Sequence, residues 1–133
     1  MIENYSALLA HFVKQGSADF AFLEGHGLSL KTKKGRMLAE LIYSSPDVVI
    51  EIHFGDREVE LHGCASVKHP EYNRWKWVGM HQFARAYDPS YTDVMGLESE
   101  EKIDEASRSL SRILKEHFAD LETFVRENGT EKR

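Results

Sequence analysis

The sequence is short of the features that usually announce a function. It has a single cysteine, Cys64, so no disulfide can form within the chain; that fits a reducing compartment. No apolar run approaches the roughly 20 residues that cross a bilayer. The opening stretch MIENYSALLAHFVKQG has no basic lead, and Glu3, His11 and Lys14 interrupt it, so it does not read as a signal peptide. These absences lead to the expectation of a soluble, cytoplasmic protein. There is no nucleophile elbow, no internal repeat and no low-complexity segment. Gly25-His26-Gly27 is too short for a phosphate loop, and Cys64 has no evident surroundings that would make it a nucleophile.

Positive charge is outnumbered, with 17 Lys and Arg against 22 Asp and Glu. The 133 residues carry a net charge of −5. It is unevenly spread: residues 1–67 carry −3, residues 68–87 carry +3 and residues 88–133 carry −5. A phosphate backbone is held by many Lys and Arg, so nucleic acid is an unlikely partner, and a basic protein is the better match to the acidic remainder. At 41% hydrophobic and 29% charged residues, the composition is that of an ordinary globular domain. The length suits one domain, 1–133, with a core that needs no metal or disulfide.

Periodicity divides the chain. Tyr5, Leu8, Leu9, Phe12 and Val13 share one helical face and predict a helix over 3–15, stopped at Gly16. Alternating residues predict antiparallel strands within 19–67, joined by turns at Gly25-His26-Gly27, Lys34-Gly35, Ser45-Pro46 and Gly55-Asp56. With two-residue turns, Ile52 pairs with Val59, Leu41 with Ile50, and Leu30 with Ala39. Every such register gathers the same apolar face: Leu28, Leu30, Met37, Ala39, Leu41, Ile50, Ile52, Phe54, Val59 and Leu61. An aromatic and basic segment, 68–97, is read as irregular, with MHQFARAY as a short helix inside it. Ile103, Ala106, Leu110, Ile113, Leu114, His117, Leu121, Phe124 and Val125 predict one long helix over 98–128, with acid at its start and Asn128-Gly129 at its end. The predicted fold is α+β: an antiparallel meander of four to five strands, with the N-terminal helix and the long C-terminal helix on one face and the opposite face open.

The open face carries the candidate chemistry. The predicted registers line up Glu40, Glu51 and Glu60 across three strands. They place His53 opposite Glu58, and His62 beside Val49 with Cys64 on the same side. Glu51 facing Glu60 costs stability, so the row calls for a reason. Three readings compete: a plain solvated face offset by Lys31 and Lys33, a docking surface offering carboxylates to Arg and Lys of a partner, and a metal site drawn from His53, His62, Cys64 and a glutamate. A second constellation is Tyr72, Arg74, Trp75, Lys76 and Trp77, followed by His81, Arg85 and Tyr87. Such residues can stack bases and hold phosphates, or anchor a protein interface.

The layout of a short N-terminal helix, a meander containing FGDREVEL, an aromatic-basic segment and a C-terminal helix reading LSRILKEHFADLETFV resembles the small α+β bacterial proteins that include many immunity proteins, the antitoxins encoded beside polymorphic toxins. The resemblance covers most of the chain. It implies a non-enzymatic protein, without cofactor, that binds one partner such as a basic nuclease toxin domain. The partner-binding residues expected on this basis are Glu40, Glu51, His53, Glu58, Glu60 and His62, with Trp75 and Trp77. The alternatives are a small metal-dependent hydrolase using His53, His62 and Glu60, and a small-molecule or nucleic-acid module using the Trp75/Trp77 segment. The open face could equally serve a homodimer.

Overall fold

The computed structural model describes residues 5–55, 59–92 and 96–131. Five strands form one open antiparallel sheet in sequential order: β1 Ser29–Lys34, β2 Leu38–Ser44, β3 Val48–Gly55, β4 Glu60–Lys68 and β5 Trp75–Gly79. Helix α1, Tyr5–Asp19, and the one-turn α2, Phe22–Gly25, precede the sheet, and α3, Met80–Tyr87, follows it. The chain ends in α4, Glu100–Glu116, a 3₁₀ turn at Phe118–Asp120, and α5, Leu121–Asn128. The fold is therefore α+β, with the helices gathered over one side of a meander.

Alternation explains the two sides. In β2, Ala39, Leu41 and Tyr43 are buried, while the residues between them are partly exposed. In β3, Val48, Ile50, Ile52 and Phe54 do the same. The core lies between this face and the helices, where Phe12 of α1 stacks on Phe54 of β3 with ring centroids 5.4 Å apart. The buried set predicted from alternation lies in this core except Met37, which precedes β2 and is 54% exposed; Leu30 is only half-buried.

Helix α1 does not stop at Gly16. It continues to Asp19, and Gly16 lies close against the core: a Cβ there would lie 2.8 Å from Leu41 Cδ1 and 3.2 Å from Phe12 Cε1. A missing side chain that reads as a stop in sequence serves as a contact in the fold. The strand expected around Phe20 and Phe22 is also absent. The Phe20 amide bonds to Gly16 O at 2.9 Å, and Phe20 and Leu23, three residues apart, are the buried pair. In so short an apolar run a period of two and a period of three cannot be told apart.

Two further differences lie in the second half. The segment 68–97 is not wholly irregular, because Trp75–Gly79 pairs with Cys64–Lys68 as a fifth strand. The expected helix 98–128 is broken in two after Glu116. Its apolar stripe continues through the break, with Leu121 and Val125 buried. Helix α4 packs on α1 and α3, whereas α5 packs on β4 and β5, and one straight rod could not follow both. At the corner, the His117 ring stacks on Tyr87 at 4.3 Å. The start of α4 is capped by Ser99, whose hydroxyl accepts from the Lys102 amide at 3.2 Å.

Side-chain hydrogen bonds fasten the layers. His11 of α1 meets Asp104 of α4 at 2.6 Å, and the Tyr5 hydroxyl donates to Met37 O at 2.8 Å. Asp88 closes the turn after α3 by accepting from the Ser90 hydroxyl and amide and from Arg112. These partners, the Ser90 hydroxyl foremost, hold its carboxyl below the usual range. Both edges of the sheet are guarded. Strand β1 presents exposed Lys31, Lys33 and Lys34, which discourage pairing with another chain. At the other edge, Trp77 exchanges backbone hydrogen bonds with Thr130.

Candidate open-face site

The register decides which open-face groups meet. Strands β3 and β4 pair Gly55 with Glu60, His53 with His62, Ile52 with Gly63 and Glu51 with Cys64. The connection therefore spans 56–59 instead of two residues. Val59 adopts φ 47° and Gly55 φ 126°. The left-handed φ is costly for a β-branched residue; Val59 is held there by its burial and by the Leu97 amide, which bonds to its carbonyl at 3.0 Å. Strands β2 and β3 pair Glu40 with His53 and Leu41 with Ile52, and β1 pairs Lys33 with Glu40.

Four expectations are corrected by this register. Glu51 does not face Glu60, so the opposed carboxylates of the predicted hairpin are not built. The row Glu40–Glu51–Glu60 does not form; the row is Lys33–Glu40–His53–His62. His62 lies beside His53 and not beside Val49. The expected pairing of His53 with Glu58 is replaced by His53 with His62, and Glu58 itself lies outside the described residues.

What does assemble is tighter than the predicted row. The ligand atoms of Glu40, Glu51 and His53 all lie within 4.8 Å of one another. His53 Nε2 is 3.1 Å from Glu51 Oε1, and the two side chains are only 17% and 15% exposed. Cys64 Sγ is 3.7 Å from the other Glu51 oxygen, Oε2. The rings of His53 and His62 stand edge to face at 5.0 Å, and His62 Nε2 is 3.9 Å from Glu60 Oε1. Glu40 makes no ion pair or hydrogen bond among the described residues, although Lys33 sits opposite it. The cluster thus combines three carboxylates, two imidazoles and a thiol on three neighbouring strands.

The tryptophans join the same face. Trp77 pairs with Ser66 and Trp75 with Lys68, while Trp75, Ser66, Val49 and Glu51 line one shallow depression. Both indoles are half-buried, and Trp77 Nε1 has no hydrogen-bond partner among the described residues. Strand alternation sends Lys76 to the opposite side. There it donates to Arg126 O at 2.9 Å and, with Val67, His69, Tyr72, Arg74, Arg126 and Glu131, lines a cavity of about 410 Å³. His81 contacts Leu61 O, and Tyr87 stacks on His117. The aromatic-basic constellation is therefore divided, so its tryptophans do not interleave with Arg74 and Lys76 on one surface.

The sequence places His53, His62, Cys64 and a glutamate on one face as metal-site candidates; that Glu40 and Glu51 are the carboxylates that close on His53 was not legible, because it depends on register. The one local signal was Glu51 and His53 two residues apart on a strand, which puts both on one face. Comparison with protein families, with curated proteins and with solved structures finds no match. No described helix is long and apolar enough to cross a membrane.

Proposed function

We propose that this chain is a non-enzymatic protein-binding module of immunity type, acting in the cytoplasm and docking a basic protein partner, such as a toxin domain, on its open sheet face. One observation carries the reading. The helices leave one face of a five-stranded sheet uncovered, and that face holds Glu40, Glu51 and Glu60 with Trp75 and Trp77 at one side. Carboxylates on a rigid sheet are suited to arginine and lysine of a partner. Tryptophan beside them supplies the kind of anchor that dominates interface energies. The lysines of β1 and Lys68 border the acidic centre and would select the orientation of the partner.

The test is native mass spectrometry on the untagged protein enriched gently from its host, repeated with Trp75→Ala and Glu60→Lys. The expected result is a complex with one basic chain. Trp75→Ala should weaken it by about 30-fold, the equivalent of a 2 kcal/mol anchor, with an unchanged circular dichroism spectrum. A complex indifferent to both substitutions would sink the surface assignment. A homodimer broken by them would make the face a self-interface instead.

A further inference from the structure

We propose that Glu40, Glu51 and His53 form a binding site for a single divalent metal ion of the zinc type. Zinc sits about 2.0–2.2 Å from nitrogen and oxygen donors, which puts neighbouring donors of a tetrahedral site about 3.3 Å apart. His53 Nε2 and Glu51 Oε1, at 3.1 Å, already stand at that separation. The Glu40 carboxylate lies within 4.8 Å of both, and no partner within the described residues holds it away. A turn about its side-chain bonds closes the remaining gap.

The backbone builds this spacing. Glu51 and His53 are separated by one residue of β3, and Glu40 is the cross-strand partner of His53 on β2. All three therefore project from ladder-paired backbone on one face, where partner Cβ atoms lie about 5 Å apart. The surroundings favour a cation. Two carboxylates within 4.8 Å repel each other more strongly in a half-buried setting than in open water, and a divalent ion would cancel both charges.

The donor set selects the metal. Calcium and magnesium are satisfied by six or more oxygens, or by several retained waters. An imidazole among the donors, with the Cys64 thiol and the His62 imidazole alongside, suits a borderline-soft ion such as zinc. Three protein donors leave the fourth position open to water or to a carboxylate or imidazole brought by another molecule. This site goes beyond the protein-docking reading: both draw on Glu40 and Glu51, whereas His53 belongs to the metal site and Trp75 and Glu60 to the docking surface.

The test is zinc titration of the full chain after chelator treatment, followed by equilibrium dialysis. One zinc per chain is expected, with a higher melting temperature, because an ion held by the native state alone stabilises it. Loss of groups that merely support a ligand already costs about 10- to 100-fold in affinity. Glu40→Gln and His53→Phe should therefore each weaken binding by at least about tenfold, and Glu105→Gln, at an exposed position of α4, should leave it unchanged. Glu40 is partly exposed and has no hydrogen bond or ion pair among the described residues, so its variant remains informative even if His53→Phe fails to fold. No binding by the native chain, or binding that survives both substitutions, would overturn the proposal. Either outcome leaves the partner test intact, because that test reads Trp75 and Glu60.

Discussion

Tyr43 shows how one side chain can carry an unspent polar group. Its ring is wholly buried under the helices, and its hydroxyl has no hydrogen-bond partner among the described residues. Burial first, and then the Glu24 carboxylate, push its phenol up to about 12. An unpaired buried hydroxyl is a penalty, so Tyr43→Phe should leave stability equal or raise it by about 1 kcal/mol, read from the denaturant midpoint at pH 7. A clear loss would mean that the hydroxyl is bonded after all. The pH dependence has a definite sign. The folded value lies above the unfolded value of about 10, so the native state holds its proton more tightly. The contribution is complete below about pH 10 and is lost as pH rises through about 12. The native chain should lose stability across that window relative to the phenylalanine variant. Nothing in the sequence around AELIYSS distinguishes this tyrosine from one that reaches solvent with its hydroxyl.

Among the elements, the hairpin of β3 and β4 is the most informative. Its two-residue turn was expected from Gly55-Asp56, which pairs Glu51 with Glu60; the strands instead pair Glu51 with Cys64. The slip is four residues. Between β2 and β3 it is two, with Leu41 moving from Ile50 to Ile52. Between β1 and β2 it is four, with Leu30 moving from Ala39 to Tyr43. Every slip is even, so every side chain keeps its face and changes its neighbours. Hydrophobic pattern penalises odd slips heavily and even slips hardly at all. Close contact then chooses among the even ones. Gly63 is one such contact: a Cβ on it would lie 2.0 Å from Glu51 O. Gly63→Ala should therefore lower stability by about 1–3 kcal/mol through overpacking, measured by urea unfolding. An unshifted midpoint would contradict this approach of the two strands.

For the molecule as a whole, the decisive arrangement is one helical layer against one face. Phe12 of α1 and Phe54 of β3 join the two layers and are both fully buried. Phe12→Ala should cost about 3–5 kcal/mol, a large part of the roughly 5–15 kcal/mol that holds a domain together. Thermal unfolding followed by far-ultraviolet circular dichroism would show it. A small effect would mean that α1 contributes little to the core. The same layering leaves the other face for Glu40, Glu51, His53, Glu60, His62, Trp75 and Trp77, where both proposals are placed.

The sequence by itself determined the α+β class, the apolar face of the strands from Ala39 to Leu61 and the stripe from Ile103 to Val125. Each follows from a period of two or of three to four, and burial rewards these patterns wherever the partner lies. Only the tertiary structure decided what depends on neighbours. It carried α1 through Gly16, broke the last helix after Glu116 so that its two parts could pack on different elements, and recruited Trp75–Gly79 as an edge strand. It also brought Glu40, Glu51 and His53 together. Alternation states which way a side chain points, whereas register, set by loop length and by close contacts such as those at Gly55 and Gly63, states what it meets.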